Sequence, residues 1–262
     1  MVCKAKTAQL FLDLIDIIER LRAPNGCAWD REQTHESLLP YFLEEAYEVI
    51  ESVELKNWET LKEELGDVLL HVLLQAQIAK ESNQFDIIDT IKGINGKLIK
   101  RHPHVFEKKK NKNRLQTKKD WEAQKHIEKN RKSRLDGVPI KLPALVRAQR
   151  LQEKASYAGF DWDKIEDAWG KLDEELNELK QAQKFGEIEN IKEEIGDVLF
   201  SVVNLSRFFN VAAEDMLRQA NRKFIKRFKK IEKKLEEKGK KLEDSNLEEM
   251  GEIWEKAKNQ IY

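Results

Sequence analysis

The chain has 262 residues with 48 basic and 48 acidic side chains, so its net charge of zero gives no bulk attraction to nucleic acid or to a membrane surface. The hydrophobic share of 40% is enough for a core, and the charged share of 37%, with few glycines and prolines, favours helices. Two cysteines exclude a disulfide scaffold, and neither a signal peptide nor a membrane-spanning run is recognisable, so we expect a cytoplasmic protein with no membrane partner.

Apolar residues at helical spacing predict four helices in the first half and five in the second. The predicted helices cover about residues 10–21, 40–53, 58–79 and 86–101, then 143–158, a helix that contains 172–179, 187–209, 213–238 and a segment after 245. Gly239 suits the end of the fourth helix of the second half, and Ser245 with Glu248 predicts a capping box for the last. No sustained alternation of polar and apolar residues predicts a strand.

A polar stretch, 107–141, separates the two halves. It contains 13 Lys or Arg against 5 Asp or Glu, which predicts a solvated basic linker with some helix, including Trp121 and Lys125. Charge runs are usually solvated, so we do not expect nucleic acid as a partner. The sequence therefore predicts an all-α protein of two tandem helical domains, 1–106 and 142–262, joined by this linker.

The second half repeats an acidic pattern of the first half at a fixed shift of 130 residues. Glu-Glu-Ala-Tyr-Glu at 44–48 corresponds to Glu-Glu-Leu-Asn-Glu at 174–178, and Glu-Glu-Leu-Gly-Asp at 63–67 corresponds to Glu-Glu-Ile-Gly-Asp at 193–197. One such block means little in a chain rich in glutamate. Two copies of the set at one spacing indicate a metal site that was duplicated with its domain.

The spacing places the acids of each block on one helix face. Glu45 and Glu48 are three residues apart, as are Glu64 and Asp67, and both pairs border apolar stripes. Carboxylates on facing, partly buried helices repel each other and resist desolvation, and a divalent cation relieves both costs. Oxygen ligands favour Mg²⁺, or Mn²⁺, over Zn²⁺.

A glycine precedes the aspartate in each copy, at Gly66 and Gly196. Glycine inside a helix costs ~1 kcal/mol relative to alanine. Its recurrence indicates either the close approach of another group or close packing of helices.

Cations and a tryptophan are repeated as well. They are Lys97, Arg101, Trp121 and Lys125 in the first copy and Lys223, Arg227, Trp254 and Lys258 in the second. The basic residues can receive phosphate charge, the tryptophans can stack on a base, and Mg²⁺ held by carboxylates usually keeps positions open for phosphate oxygens. Singly, each would more often be a surface or core residue, but their repetition beside the acids favours a nucleotide site.

These residues resemble the two-domain form of the MazG family of nucleoside triphosphate pyrophosphohydrolases. Besides the acidic blocks, the resemblance rests on Gly26-Cys-Ala-Trp-Asp-Arg-Glu-Gln-Thr34, Arg101-His-Pro-His-Val-Phe106, Leu135-Asp-Gly-Val-Pro139, Pro143-Ala-Leu-Val-Arg-Ala-Gln149 and Gly159-Phe-Asp-Trp162. It implies MazG-like four-helix-bundle domains completed by homodimerisation, and Mg²⁺-dependent cleavage of a nucleoside triphosphate to a monophosphate and pyrophosphate. In similar proteins the second domain can carry the activity while the first is weak or silent.

The resemblance also implies roles for residues in both copies. The metal ligands would be Glu175, Glu178, Glu194 and Asp197, with Glu45, Glu48, Glu64 and Asp67 as their first-half equivalents. The repeated cations and tryptophans fall on nucleotide contacts, and Lys171 and Lys192 fall near positions that contact the triphosphate.

The two copies differ at a position seven residues after the aspartate. The second copy has Asn204 where the first has Leu74, on nearly the same helix face as the acids. A polar group there could contact a sugar or base, which makes the second site the stronger prediction. His71 of the first copy, where the second has Ser201, is interpreted as a packing residue.

The predicted mechanism is attack of a metal-activated water on the α-phosphorus, with cationic side chains stabilising the leaving pyrophosphate. Glu174 or Glu193 could accept the proton of the water, or could simply orient a metal ligand.

Three alternatives remain open on the sequence. One is an all-α pyrophosphatase specific for dUTP or dCTP, and another is a helical regulator that binds nucleotides without turnover. The third is a di-iron carboxylate bundle, which would need Glu-x-x-His where this chain has aspartate.

Overall fold

Two compact units, Met1–Asn111 and Lys112–Tyr262, divide the chain. The computed structural model describes residues 3–106 and 114–258, and for 114–118 it describes the backbone alone. All regular secondary structure in those residues is helical, which confirms the all-α prediction.

Six helices lie in the first unit. They are α1 (Lys4–Arg22), α2 (Ala28–Glu32), α3 (Leu39–Leu55), α4 (Trp58–Glu81), α5 (Ile87–Arg101) and α6 (Pro103–Phe106). Their core contains Ile18 of α1, Leu38, and Leu73 and Leu74 of α4, each at most 3% exposed. Arg22 ties α1 to the far end of α4, because its Nη2 lies 2.7 Å from Oε2 of Glu81.

A tight connection makes α3 and α4 an antiparallel hairpin. Pro40 occupies the first turn of α3, where its missing N–H is not needed. Lys56 leaves the helix in the left-handed region, with a φ of 55°, and the Asn57 side chain caps α4 by accepting the Thr60 N–H at 3.3 Å. The hairpin therefore sets one predicted acidic block opposite the other.

Six further helices and a 3₁₀ turn (Leu242–Asp244) form the described part of the second unit. The helices are α7 (Arg114–Glu128), α8 (Ala144–Tyr157), α9 (Ile165–Phe185), α10 (Ile188–Phe208), α11 (Ala213–Glu237) and α12 (Leu247–Lys258). Gly186, with a φ of 73°, ends α9 and turns the chain directly into α10, so the acidic blocks again face each other. Their core contains Ala168, Leu172 and Leu205.

Helix α7 begins inside the predicted linker and packs against α8. Glu122 accepts hydrogen bonds from Lys154 at 3.0 Å and from Lys125 at 3.2 Å, and Lys154 is only 7% exposed. This part of the linker is therefore not solvated throughout, because its charges pair with α8, which composition alone could not show. The boundaries at 107 and 141 stay a prediction.

The predicted capping box of the last helix is wrong by one residue. Helix α12 begins at Leu247, and the side-chain oxygen of Asn246 accepts the Glu249 N–H at 2.9 Å, while Ser245 contacts the Glu249 carboxylate. Asparagine and serine cap helices about equally well, so the two adjacent residues were not separable by type.

No single helix in the described residues is long and apolar enough to cross a bilayer, although α10 and α11 pass that test jointly across a bend of 104°.

Candidate functional site

Helices α3 and α4 bring the first set of acids together. Carboxylate oxygens of Glu45, Glu64 and Asp67 lie within 4.8 Å of one another. Glu48 lies near enough to contribute to the raised pKa of both Glu45 and Glu64. The structure thus gathers all four acids of the first copy into one cluster, here called the first acid cluster.

Crowding shifts the protonation of the first acid cluster. Partial burial, together with the charges of Asp67, Glu48 and Glu64, raises the pKa of Glu45 to about 7. Burial and Glu48 also raise the pKa of Glu64. These shifts reflect an excess of negative charge, which a bound cation would relieve.

Helices α9 and α10 build the same arrangement in the second unit. Oxygens of Glu175, Glu194 and Asp197 lie within 4.8 Å of one another, and Glu175 contributes to the raised pKa of Glu178 nearby. Glu175 is only 5% exposed, and within the described residues the buried Oε2 of Glu194 has no hydrogen-bond partner. We call these four residues the second acid cluster.

Burial is the main cause of the raised pKa values in the second acid cluster. It raises the pKa of Glu178, with help from Glu175, and the pKa of Glu194, with help from Asp197. A buried carboxylate oxygen without a donor is costly, and a divalent cation would satisfy it. The oxygen-only donor set therefore suits a hard divalent ion in both clusters.

A lysine distinguishes the two clusters. The Lys171 ammonium lies 2.8 Å from Glu175 Oε1 and 2.9 Å from Glu174 Oε1, and these bonds raise the pKa of Lys171. The 130-residue shift places Tyr41 at the corresponding position, where its ring meets Trp29 edge-on at 6.1 Å. Sequence reasoning missed this difference, although the register of the repeat shows it.

The other triphosphate and proton-transfer candidates lie at the margin of the second acid cluster. Glu174 is bonded to Lys171, and Glu193 is exposed next to Glu194 in sequence. Lys192 forms its ion pair with Glu189 at 2.7 Å, on an exposed face, and not with the clustered acids.

Helices α11 and α12 bring together part of the predicted nucleotide contacts. The Arg227 guanidinium carbon lies 5.5 Å from the Trp254 ring centre, and the Phe224 ring lies 5.3 Å from it. Lys223 is exposed, and Lys258 pairs with Glu255 at 2.5 Å. Among the described contacts, none joins this group to the second acid cluster.

The corresponding residues of the first copy fall in different units. Lys97 and Arg101 lie on α5 of the first unit. Trp121 and Lys125 lie on α7 of the second unit, with the Lys125 ammonium 5.7 Å from the Trp121 ring centre. Their assignment to the first site stays a prediction.

Asn204 and Leu74 have different surroundings. Leu74 is 3% exposed in the core of the first unit. The Asn204 side-chain oxygen instead accepts a hydrogen bond from Arg207 at 2.9 Å. His71 is buried against Phe42, with ring centres 6.0 Å apart, and burial lowers the pKa of His71, as suits a packing residue.

The recurring glycines have open space around them. A Cβ atom built on Gly66 or on Gly196 would meet nothing within 4 Å. Close packing of helices within the described part of each unit therefore does not explain these glycines.

Comparison with known proteins agrees with this geometry. The MazG nucleotide pyrophosphohydrolase domain matches residues 33–106 and 166–232. The chain belongs to the MazG family. Each match contains one acid cluster, so the duplication is a repeat of the MazG domain.

Related MazG proteins match along almost the whole chain. The nucleoside triphosphate pyrophosphohydrolase/pyrophosphatase MazG of Thermotoga maritima is 51% identical over 95% of this chain and 96% of its own length. The nucleoside triphosphate pyrophosphohydrolase of Escherichia coli K12 is 40% identical over 94% of this chain and 96% of its own length. A Mycobacterium tuberculosis protein of the same name is 38% identical over 59% of this chain and 47% of its own length.

Proposed function

We propose that this MazG protein hydrolyses nucleoside triphosphates to monophosphate and pyrophosphate in a Mg²⁺-dependent reaction. The observation that carries the proposal is the second acid cluster, in which a buried glutamate oxygen lies among carboxylates next to Lys171 and has no hydrogen-bond partner in the described part of the chain. The names of the relatives from Thermotoga maritima and Escherichia coli support the same reaction.

The acid clusters fit a hard divalent ion. We assign the ligands to Glu175, Glu178, Glu194 and Asp197, and in the first copy to Glu45, Glu48, Glu64 and Asp67. Mg²⁺, or Mn²⁺, when bound there, supplies a water of lowered pKa and neutralises triphosphate charge.

The surrounding residues bind and orient the substrate. Lys171, Lys192, Lys223 and Lys258 provide cations for the triphosphate, and Arg227 with Trp254 provides a stacking surface for a base. Glu174 or Glu193 accepts the proton of the attacking water. Lys97, Arg101, Trp121 and Lys125 would have the equivalent roles in the first copy.

We place the main activity in the second half of the chain. Lys171 puts a phosphate-binding cation beside the second acid cluster, whereas the first copy has Tyr41 at that position. Asn204 offers a polar group where the first copy buries Leu74 in its core.

We further propose that the substrate-binding protein is a homodimer. The same apolar helix face is exposed in both copies, at Leu65, Leu69 and Val72 of α4 and at Ile195, Leu199 and Val202 of α10, each 37–52% exposed. Apolar residues at this spacing form one continuous stripe, which a second copy of the chain would cover.

Matched substitutions in the two clusters test the reaction and its place. Glu175→Ala should lower kcat/KM for pyrophosphate release by more than the ~10–100-fold that loss of an outer-shell metal partner costs. Glu45→Ala is the matched control, because it removes the corresponding acid of the first copy, and should retain most activity.

Four outcomes would contradict parts of this proposal. Release of orthophosphate in place of pyrophosphate would refute the reaction. Equal losses in the two variants would refute the preference for the second half. Nucleotide binding without turnover would favour the regulator, and turnover of dUTP or dCTP alone would favour the specific pyrophosphatase.

A further inference from the structure

A charged network without an assigned role lies at the end of α10. Arg207 donates from Nη1 to Asp161 Oδ2 at 2.9 Å, from Nη2 to Asp161 Oδ1, and from Nη2 to the side-chain oxygen of Asn204 at 2.9 Å. The Arg207 side chain is 16% exposed, and its guanidinium lies 5.0 Å from the Phe208 ring centre. Asp161 also accepts the N–H of Trp162 at 3.0 Å, which fixes the carboxylate.

This network determines which way the Asn204 amide points. Arginine has hydrogen-bond donors but no acceptor, so the amide must turn its oxygen toward Arg207. The NH₂ group then points away from Arg207, and within the described residues of the second unit it donates no hydrogen bond. Asn204 therefore presents donors only.

The position of Asn204 relates those donors to the second acid cluster. Asn204 follows Asp197 by seven residues, which is nearly two helical turns and ~10 Å along the same face. Mg²⁺ binds its oxygen ligands at only ~2 Å. A substrate atom that accepts a hydrogen bond from Asn204 is therefore too far from the ion to be one of its oxygen ligands. The sugar and base lie beyond the metal-bound phosphates, and they carry hydroxyl, carbonyl and ring-nitrogen acceptors.

The first copy has no residue that could form such a network. When the copies are aligned on Trp29-Asp30 and Trp162-Asp163, Ala28 corresponds to Asp161. The 130-residue shift of the acidic blocks places Leu74 at the position of Asn204 and Gln77 at that of Arg207. All three polar or charged partners are therefore specific to the second copy, although the acids are present in both.

We propose that Arg207, held by Asp161, is a positioning residue that aims the Asn204 NH₂ group at an acceptor on the nucleoside part of the substrate. The inference rests on the proposed function, because it assigns the contact beyond the triphosphate to the same site. It makes the pair Asn204–Arg207 a determinant of nucleoside recognition.

The test compares kcat and KM for pyrophosphate release from ribose and deoxyribose triphosphates. Asn204→Asp keeps a partner for Arg207 but replaces the donor with an acceptor, so KM should rise about tenfold or more while kcat changes less than about threefold. Arg207→Gln should raise KM similarly, because glutamine both donates and accepts and so does not orient the amide. Arg207→Lys, which only donates, should keep KM within about threefold of that of the unmodified protein.

Inorganic tripolyphosphate separates a nucleoside contact from a phosphate contact. Its inhibition constant in the presence of Mg²⁺ should be the same for Asn204→Asp as for the unmodified protein. Equal weakening of tripolyphosphate and nucleotide would overturn the proposal, and so would an unchanged KM in Asn204→Asp. Equal effects of Arg207→Lys and Arg207→Gln would show a merely structural arginine and would also overturn it.

Failure of the proposed function gives a different result. If the unmodified protein releases no pyrophosphate, calorimetry with Mg²⁺ still tests the contact. Asn204→Asp should then weaken nucleoside triphosphate binding about tenfold and leave tripolyphosphate binding unchanged, and equal affinities for the nucleotide would refute the inference.

Discussion

Glu45 and Glu175 occupy the same position in the two copies, but a lysine reaches only Glu175. The Lys171 ammonium compensates Glu175 directly, while the first acid cluster has Tyr41 at that position. Partial burial and three neighbouring acids therefore raise the pKa of Glu45 to about 7. The same ligand type thus has different charge compensation in the two copies.

The raised pKa of Glu45 predicts a pH-dependent stability of the metal-free protein. The folded state holds the proton up to about pH 7, whereas the ordinary pKa is 4.5. The stabilisation is fully present below pH 4.5 and is lost as the pH rises to about 7. In a chelator, thermal unfolding should shift to lower temperature across this window, and Glu45→Gln should flatten the dependence.

Exposed Glu44, the neighbour of Glu45, provides the control. Glu44→Gln removes the same charge, but the dependence of its unfolding temperature on pH should have the same slope as that of the unmodified protein. If Glu45→Gln kept that slope as well, the excess negative charge of the first acid cluster would not lie on Glu45.

Residue-level prediction succeeded where the repeat supplied a second observation. Three acids of each copy lie within 4.8 Å of one another, because residues three apart share a helix face and the hairpin loops are short. The pair Asp161–Arg207 was not predicted, because its partners are 46 residues apart and have no counterpart in the first copy. The role of each acid in binding metal stays a prediction.

At the scale of elements, the hairpins α3–α4 and α9–α10 carry the acids, and each contains a glycine in its second helix. Gly66 and Gly196 have no neighbour within 4 Å of a built Cβ atom. The helix therefore loses stability at these positions without a described packing benefit.

Alanine at either glycine should stabilise its unit. Gly66→Ala and Gly196→Ala should each raise the free energy of unfolding by ~1 kcal/mol, because alanine restricts the unfolded chain and favours the helix. Chemical denaturation of both variants measures this. A decrease at one position would show that a second copy or a ligand approaches that helix closely.

Helices α4 and α10 were predictable over their full length, α1 and α9 only in part, and the shortest helices were not predicted. The periodicity located α4 and α10 to within a few residues, because each presents an apolar stripe over many turns. Helices α2 and α6 have five and four residues, too few for a period to be visible. The packing of α7 depends on ion pairs with α8 that no local pattern encodes.

At the scale of the whole molecule, the exposed apolar stripes on α4 and α10 predict a second copy as partner. Leu199→Lys should convert the dimer to a monomer in size-exclusion chromatography with light scattering, because an interface cannot bury the unpaired charge. The corresponding variant Leu69→Lys tests the first copy. Leu247→Lys, at a site that is 85% exposed, should leave the mass unchanged.

A monomeric unmodified protein would refute the dimer, and a dimer that survives both Leu69→Lys and Leu199→Lys would place its interface elsewhere.

The duplication and the all-α class were predictable from the sequence because both copies have the same spacing of acids. The homodimer, which the family resemblance implies, stays a prediction.

The bonds of Lys171 have a consequence for the order of binding. A divalent ion bound by Glu175 would compete with the 2.8 Å contact between Glu175 and Lys171, and would leave more of the ammonium charge for an arriving triphosphate. Such linkage is reciprocal, so metal and triphosphate should bind to the second site with positive cooperativity. Calorimetric titrations should show this coupling and its loss in Lys171→Met, while the first copy, with Tyr41, has no charge to release.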